Sequence, residues 1–308
     1  MKVSAFAPGS VSNIACGFDC LGFAVDGPGD LVTAEPKDSP GVEILEISGD
    51  GGRLPLEADR NTAGVAVTAL LRAVGREEAG VALRIEKRMP LSSGLGSSAA
   101  SAVAGARAAA ELLGLEATRH QLLKAALEGE RVACGSAHPD NATPSLYGGF
   151  VLIRSMEPLD IVELPVPEGL TCALVRPHVD VETRAARGAL GDTLALATAV
   201  RQWANLGSLV AGLYRGDLEL VSRSLVDHVA EPKRAHLVPG FREIQAAAVA
   251  SGALGCSLSG SGPSIFALCG SPEDAERVAG AMVAAVDGPV DRLVSPVGAP
   301  GVAVMAAA

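Results

Sequence analysis

The chain has 308 residues and a formal net charge of −10, with 48% hydrophobic but only 3% aromatic residues. It is long enough for one large domain or two ordinary ones, and its core must be built from Ala, Val and Leu, as in a globular α/β or α+β enzyme rather than a disordered chain. The negative charge argues against a nucleic-acid partner, which requires a basic surface, but leaves local sites for anionic ligands open.

Residues 2–7 alternate as a first strand, which Pro8-Gly-Ser-Val-Ser12 is expected to end. In the stretch from Asn13 to Ala24, Asn13 and Asp19 bracket Gly17 among apolar residues. This fits either a tight loop holding both side chains toward a ligand or an Asx-turn pair that stabilises its own backbone. Residues 31–35 and 42–47 read as strands, and residues 61–74 as a helix with a polar entrance.

A strand over 81–86 leads to Pro90-Leu-Ser-Ser-Gly-Leu-Gly-Ser-Ser-Ala-Ala100, a glycine-rich loop that becomes a helix. Gly94 and Gly96 allow positive φ, Ser97 or Ser98 can cap, and Ala99 onward favours helix. Such a helix start, with unpaired N–H groups and hydroxyls, suits a phosphate or another anion. The dinucleotide fingerprint fits poorly, because residues 87–93 separate the strand from Gly94, and no Walker Gly-Lys-Ser/Thr occurs.

A second helix over 118–131 puts Glu130 near its C-terminal end, where a carboxylate opposes the helix dipole and calls for a cation. A polar loop over 134–145, carrying His138, Asp140 and Asn141, precedes a strand over 148–154. Pro-rich interruptions near residue 160 suggest two domains, 1–160 and 161–308. The second opens with a strand over 171–176, continues with helical patterns over 194–215, 218–229 and 241–251, and closes with a strand over 265–268 and a helix over 273–286.

Six cysteines without a Cys-x-x-Cys pair indicate neither a zinc ribbon nor a disulfide scaffold, so free thiols in a reducing cytoplasm are expected. The N-terminal segment has no sustained apolar stretch and is not expected to be a signal peptide. The uncharged stretch 244–271 is interrupted by Ser257-Leu-Ser-Gly-Ser-Gly-Pro263, which argues against a membrane span.

Taken together, the segments Pro8 to Asn13, Pro90 to Ala99 and Leu258 to Pro263 resemble the three motifs of the galactokinase, homoserine kinase, mevalonate kinase and phosphomevalonate kinase superfamily, in the same order. The likeness runs nearly end to end. It is nearest to the homoserine kinase branch through Gly17-Phe-Asp19, Gly135 to Ser145, Thr183-Arg-x-x-Arg187, Glu231-Pro-x-Arg234 and Pro239-Gly240. Pro139 stands where that branch usually has a second His, and Gly191 where it usually has Pro.

The resemblance implies an α+β fold with a ribosomal-S5-like N-terminal domain and a ferredoxin-like C-terminal domain. The implied reaction is ATP- and Mg²⁺-dependent phosphorylation of L-homoserine to O-phospho-L-homoserine in threonine biosynthesis, with no nucleic-acid or membrane partner and with a homodimer left open. The nucleotide would bind at Pro90, Leu91, Ser92, Ser93, Gly94, Leu95, Gly96, Ser97, Ser98, Ala99 and Ala100, with Asn61 near the nucleoside. Ser98 and Glu130 would hold Mg²⁺, which needs only one or two protein oxygens beside phosphate and water. Arg187 and Arg234 would take the acceptor carboxylate, with Asn13, Asp19, His138 and Asn141 for its remaining polar groups. Glu130, Asn141 and Asp140 are the catalytic candidates, and the reaction is expected to run without an essential base. The alternatives are a kinase of the same superfamily acting on mevalonate, a sugar or an isoprenoid precursor, or a catalytically silent ligand-binding relative.

Overall fold

The structure, a computed structural model, describes residues 2–135, 137–181 and 183–306, without the side chains of residues 133, 134 and 183–185. In chain order the first half comprises β1 (Val3–Ser12), β2 (Leu21–Pro36), β3 (Gly41–Ser48), α1 (Thr62–Ala73), β4 (Gly80–Glu86), α2 (Ser97–Leu112), α3 (Arg119–Cys134), α4 (Pro139–Tyr147), β5 (Phe150–Met156) and β6 (Leu159–Leu164). The second half comprises β7 (Thr171–Pro177), α5 (Thr183–Gly188), α6 (Leu196–Arg215), α7 (Leu218–Ser224), α8 (Glu231–Arg234), α9 (Phe241–Ala250), β8 (Gly255–Leu258), β9 (Ile265–Cys269), α10 (Pro272–Ala284), β10 (Val290–Pro296) and β11 (Ala303–Met305).

The larger sheet runs β11-β1-β2-β4-β3, and β2 branches it by pairing β4 through residues 31–36 and β5 through residues 21–23. Contrary to expectation, Pro8 does not end β1. A register shift between Pro8 and Ser10 absorbs the missing N–H, and the strand continues to Ser12. The expected divide at residue 160 falls within the β5–β6 hairpin of this sheet, which β11 also rejoins from the far end of the chain.

Helix α2 is buried along nearly its whole length, with Ala99, Ala100, Ala102, Ala104, Ala106, Ala108 and Ala109 all inaccessible to solvent. It is alanine-rich because both faces are packed closely. A Cβ on Gly105 would lie 3.2 Å from Ala63, and one on Gly129 of α3 would lie 2.4 Å from the Thr62 carbonyl.

The second sheet, β10-β7-β9-β8, is antiparallel and alternates strictly. Cys172, Leu174, Phe266 and Leu268 face the main core, where Phe266 meets Phe23 edge-on at 6.5 Å. Ala173, Val175, Ile265 and Ala267 face the other way, into a cluster with Phe241 and Ile244 of α9 and Val278 and Met282 of α10. The expected helix over 218–229 stops at Ser224, since Asp227 turns the chain and accepts from the N–H groups of Val229, Ala230 and Glu231. Among the described residues, no helix is long and apolar enough to cross a membrane.

Candidate active site

The glycines of the loop before α2 are required by backbone and by space. Gly94 and Gly96 have φ of 77° and 67°. A Cβ on Gly94 would lie 2.7 Å from the Ser259 carbonyl, and one on Gly96 would lie 2.6 Å from Ser10 Oγ and 2.7 Å from Asn141 Oδ1. The loop after β8 clamps this one: the Ser259 hydroxyl donates to the Gly94 carbonyl and the Ser264 hydroxyl to the Ser93 carbonyl, both at 2.6 Å.

Neither Ser97 nor Ser98 caps α2. The cap position is Gly96, with no side-chain hydrogen bond, and the Ser97 hydroxyl turns instead to Asp30 at 3.1 Å. The first-turn N–H groups at Ser97, Ser98 and Ala99 therefore remain available to an anion, whereas α1 and α3 close theirs with Asn61 and Thr118.

Ser97 and Ser98 open onto a cleft of about 630 Å³ lined also by Asn13, Asp19, Asn61, Leu91, Ser92, Ser93, Gly94, Gly96, Glu130, His138, Asp140, Asn141, Arg187 and Arg234. Four expected residues are not in its wall: Pro90 is exposed, and Leu95, Ala99 and Ala100 belong to the core. Ser12, Lys87, Gly260 and Ser261 line the cleft without having been assigned to it.

Asn13 and Asp19 both line the cleft, and Asn13 also stabilises its own backbone. Asn13 Oδ1 accepts from the Asp19 N–H at 3.0 Å and its amide donates to the Gly260 carbonyl at 2.8 Å, so it braces its own loop while facing the cleft. Asn13, Ile14 and Ala15 lie in succession in the left-handed region, at φ of 71°, 40° and 52°. That conformation is costly for a β-branched residue such as Ile14 and is sustained by burial. The Arg187 guanidinium donates to Asp19 Oδ1 at 2.7 Å. Arg187 and Arg234 each sit 5.2 Å from the Phe18 ring centre. Arg234 is buried and fixed by the Ala186 carbonyl at 2.9 Å. Burial pushes its pKa down, while Asp19 opposes the shift.

Two buried carboxylates also line the cleft. Glu130 is 2% exposed, its Oε1 has no hydrogen-bond partner, and its Oε2 is 3.7 Å from His138 Nδ1. Asp140 is also 2% exposed with Oδ1 unpartnered. Its pKa is pushed up to about 7 by burial and by the Asp19 charge, against the pull of His138. Asp140 and Asn141 lie in the first turn of α4, where a loop was expected. The Ser10 hydroxyl donates to Asn141 Oδ1 at 3.1 Å, which leaves the amide nitrogen as the end that can face the cleft. The orphaned Glu130 oxygen and the Ser98 hydroxyl in the same cleft are hard donors that fit a Mg²⁺ carried on phosphates.

Comparison with known proteins places this geometry in context. A homoserine kinase of Chlorobium phaeobacteroides is 51% identical over 290 residues, spanning 91% of this chain and 90% of that protein. The crystal structure of homoserine kinase from Cytophaga hutchinsonii superposes with a TM-score of 0.95 at 50% identity, covering 99% of this chain and 97% of that one. A mevalonate kinase of L. major, solved with R-mevalonate, shares the fold at a TM-score of 0.69 and 17% identity, over 95% of each chain. The GHMP kinases N terminal domain matches residues 61–149 and the GHMP kinases C terminal domain residues 209–288, one reaching from the α1 cap through the glycine loop to β5, the other from α6 through α10. With relatives this close over nine-tenths of its length, the chain belongs to the GHMP kinases.

Proposed function

We propose that the protein transfers the γ-phosphoryl group of ATP to the side-chain hydroxyl of L-homoserine, giving O-phospho-L-homoserine and ADP, as a cytoplasmic step of threonine biosynthesis. One observation carries the choice of acceptor. In the cleft, Arg187 and Arg234 flank Phe18, with the Asp19 carboxylate held against Arg187. A zwitterion fits such a mixed-charge pocket, with its carboxylate on the two guanidinium groups and its ammonium at Asp19. A sugar or mevalonate would leave at least one of these charges without a partner. The free thiols of Cys16, Cys20, Cys172, Cys256 and Cys269 suit a reducing compartment.

In this reading the loop from Ser93 to Ser98 and the start of α2, which line the cleft, receive the triphosphate, with Asn61 taken to lie near the nucleoside. Ser98 and Glu130 would hold Mg²⁺, which would supply neutralisation of phosphate charge. Asn141 and His138 position the acceptor hydroxyl in line with the γ-phosphorus. The hydroxyl oxygen bonds to phosphorus as the bridging P–O bond breaks, ADP leaves, and the hydroxyl proton passes to solvent. Phosphoryl transfer through a loose transition state depends on alignment and charge neutralisation more than on early proton removal, so Asp140 is not an essential base.

Arg187→Lys tests the acceptor assignment. Lysine keeps the charge but cannot make the two-pronged carboxylate contact, so KM for homoserine rises about tenfold or more while KM for ATP stays within about twofold. Equal effects on both constants would remove Arg187 from the acceptor site.

A further inference from the structure

Beneath the glycine loop lies a buried charge pair that the phosphoryl transfer itself does not use. Asp30 of β2 is fully buried, and Lys87, the residue after β4, is 7% exposed. Their ion pair is the centre of a set of hydrogen bonds reaching both ends of the loop. At the entry, Asp30 accepts from the backbone N–H groups of Arg88 at 3.1 Å and Met89 at 3.4 Å. At the start of α2 it accepts from the hydroxyls of Ser97 at 3.1 Å and Ser101 at 2.8 Å. The Lys87 ammonium donates to the Ser97 carbonyl at 2.9 Å and the Ser101 hydroxyl at 2.7 Å. Burial pulls the Lys87 pKa down and Asp30 holds it up, so the pairing favours the charged form of the lysine.

A buried ion pair is a poor device for stability alone, because an apolar pair of similar volume commonly does as well. What this one supplies is geometry. It spans a segment containing Gly94 and Gly96, both at positive φ, which has little stiffness of its own. It also holds the Ser97 hydroxyl on Asp30, away from the N–H groups of the first turn. Lys87 lines the cleft as well, so the pair lies directly under the nucleotide end.

We infer that Asp30 and Lys87 are positioning residues that hold the glycine loop and the first turn of α2 in the shape that receives the phosphates of ATP. This rests on the reading of that loop as the nucleotide site. The decisive variant is the double change Asp30→Asn with Lys87→Met, which removes both charges together and leaves neither one buried alone. Calorimetric titration with ATP and Mg²⁺ is expected to show Kd raised about tenfold or more. In the coupled assay KM for ATP rises in parallel, KM for homoserine stays within about twofold, and the melting temperature stays within a few degrees. The single variants, each leaving an unpaired charge, are expected to melt below the double variant. A double variant that binds ATP like the wild type, weakens both substrates equally, or fails to fold overturns the assignment. Wild-type protein that binds no ATP would instead sink the reading of the loop, so the two failures are distinguishable.

Discussion

Burial and the neighbouring Asp19 charge hold the Asp140 carboxyl at about 7 against a usual 3.8. The folded chain therefore keeps this proton more tightly than the unfolded chain does. Its contribution to stability is full below the usual value and is lost as pH rises through about 7, a swing on the order of 4 kcal/mol. Asp140→Asn is expected to raise the melting temperature by a few degrees at about pH 8, with the gain shrinking toward about pH 5. The same variant should lose less than about 100-fold in kcat, since general-base catalysis contributes about 10²–10⁴-fold. A thermal gain independent of pH would refute the first expectation, and a thousandfold loss of kcat with intact binding the second. Glu130→Gln keeps volume and removes the charge offered to Mg²⁺, so kcat should fall by about 100-fold or more with no loss of thermal stability. A kcat within a few-fold of wild type at ordinary Mg²⁺ would make Glu130 a bystander. Polar residues such as Asn13, Glu130 and Arg234 could be singled out in the sequence because they fall in segments that resemble the family's motifs or, for Glu130, at a helix end where a carboxylate opposes the dipole. Lys87 could not. Beside Arg88 it looks like a solvated surface pair, and its burial is created by Asp30, far away in sequence. Its only local signal is a lysine placed between an apolar strand and a glycine-rich loop.

The elements that sequence periodicity revealed are those whose residues repeat on one face over several turns, as in α1, α3, α6 and α10. Helix α4 escaped because Pro139, Asp140, Asn141 and Pro144 read as loop. In the fold Pro139 occupies the first turn, where its missing N–H costs nothing. Pro144 has no N–H for the Asp140 carbonyl, which instead packs against Gly22, where a Cβ would come within 2.1 Å. Strands β8 and β11 span only four and three residues and are defined by their partners more than by their own pattern. Two loops brought together by the fold, one before α2 and one after β8, carry the element-scale prediction. Gly94→Ala places a Cβ against the Ser259 and Gly262 carbonyls at a positive φ, and should push the loops apart. KM for ATP is expected to rise about tenfold or more, with a loss of stability of about 1 kcal/mol or more. Wild-type kinetics with unchanged stability would show that the two loops yield without consequence.

At the scale of the molecule, the motifs conveyed the α+β class and the family, while the partition of the chain between its sheets was hidden in long-range pairing. Neither the β5–β6 hairpin nor the return of β11 to β1 leaves a local mark at the residues that suggested a divide. The second sheet contributes Phe266 and Leu268 to the main core, so the walls of the cleft are fixed to one another by packing as well as by the loop clamp. Arg187 and Arg234, from the second half of the chain, line the same cleft as Asp19 and Asn141 from the first. The acceptor preference is thus a property of the assembled cleft, and it is tested most directly by coupled ADP release with L-homoserine, mevalonate, galactose and L-serine offered at equal concentration. L-Homoserine is expected to lead the others in kcat/KM by about 30-fold or more, the cost of leaving a buried charge unpaired or a hydroxyl out of line. Equal or faster turnover of mevalonate or galactose would contradict the account.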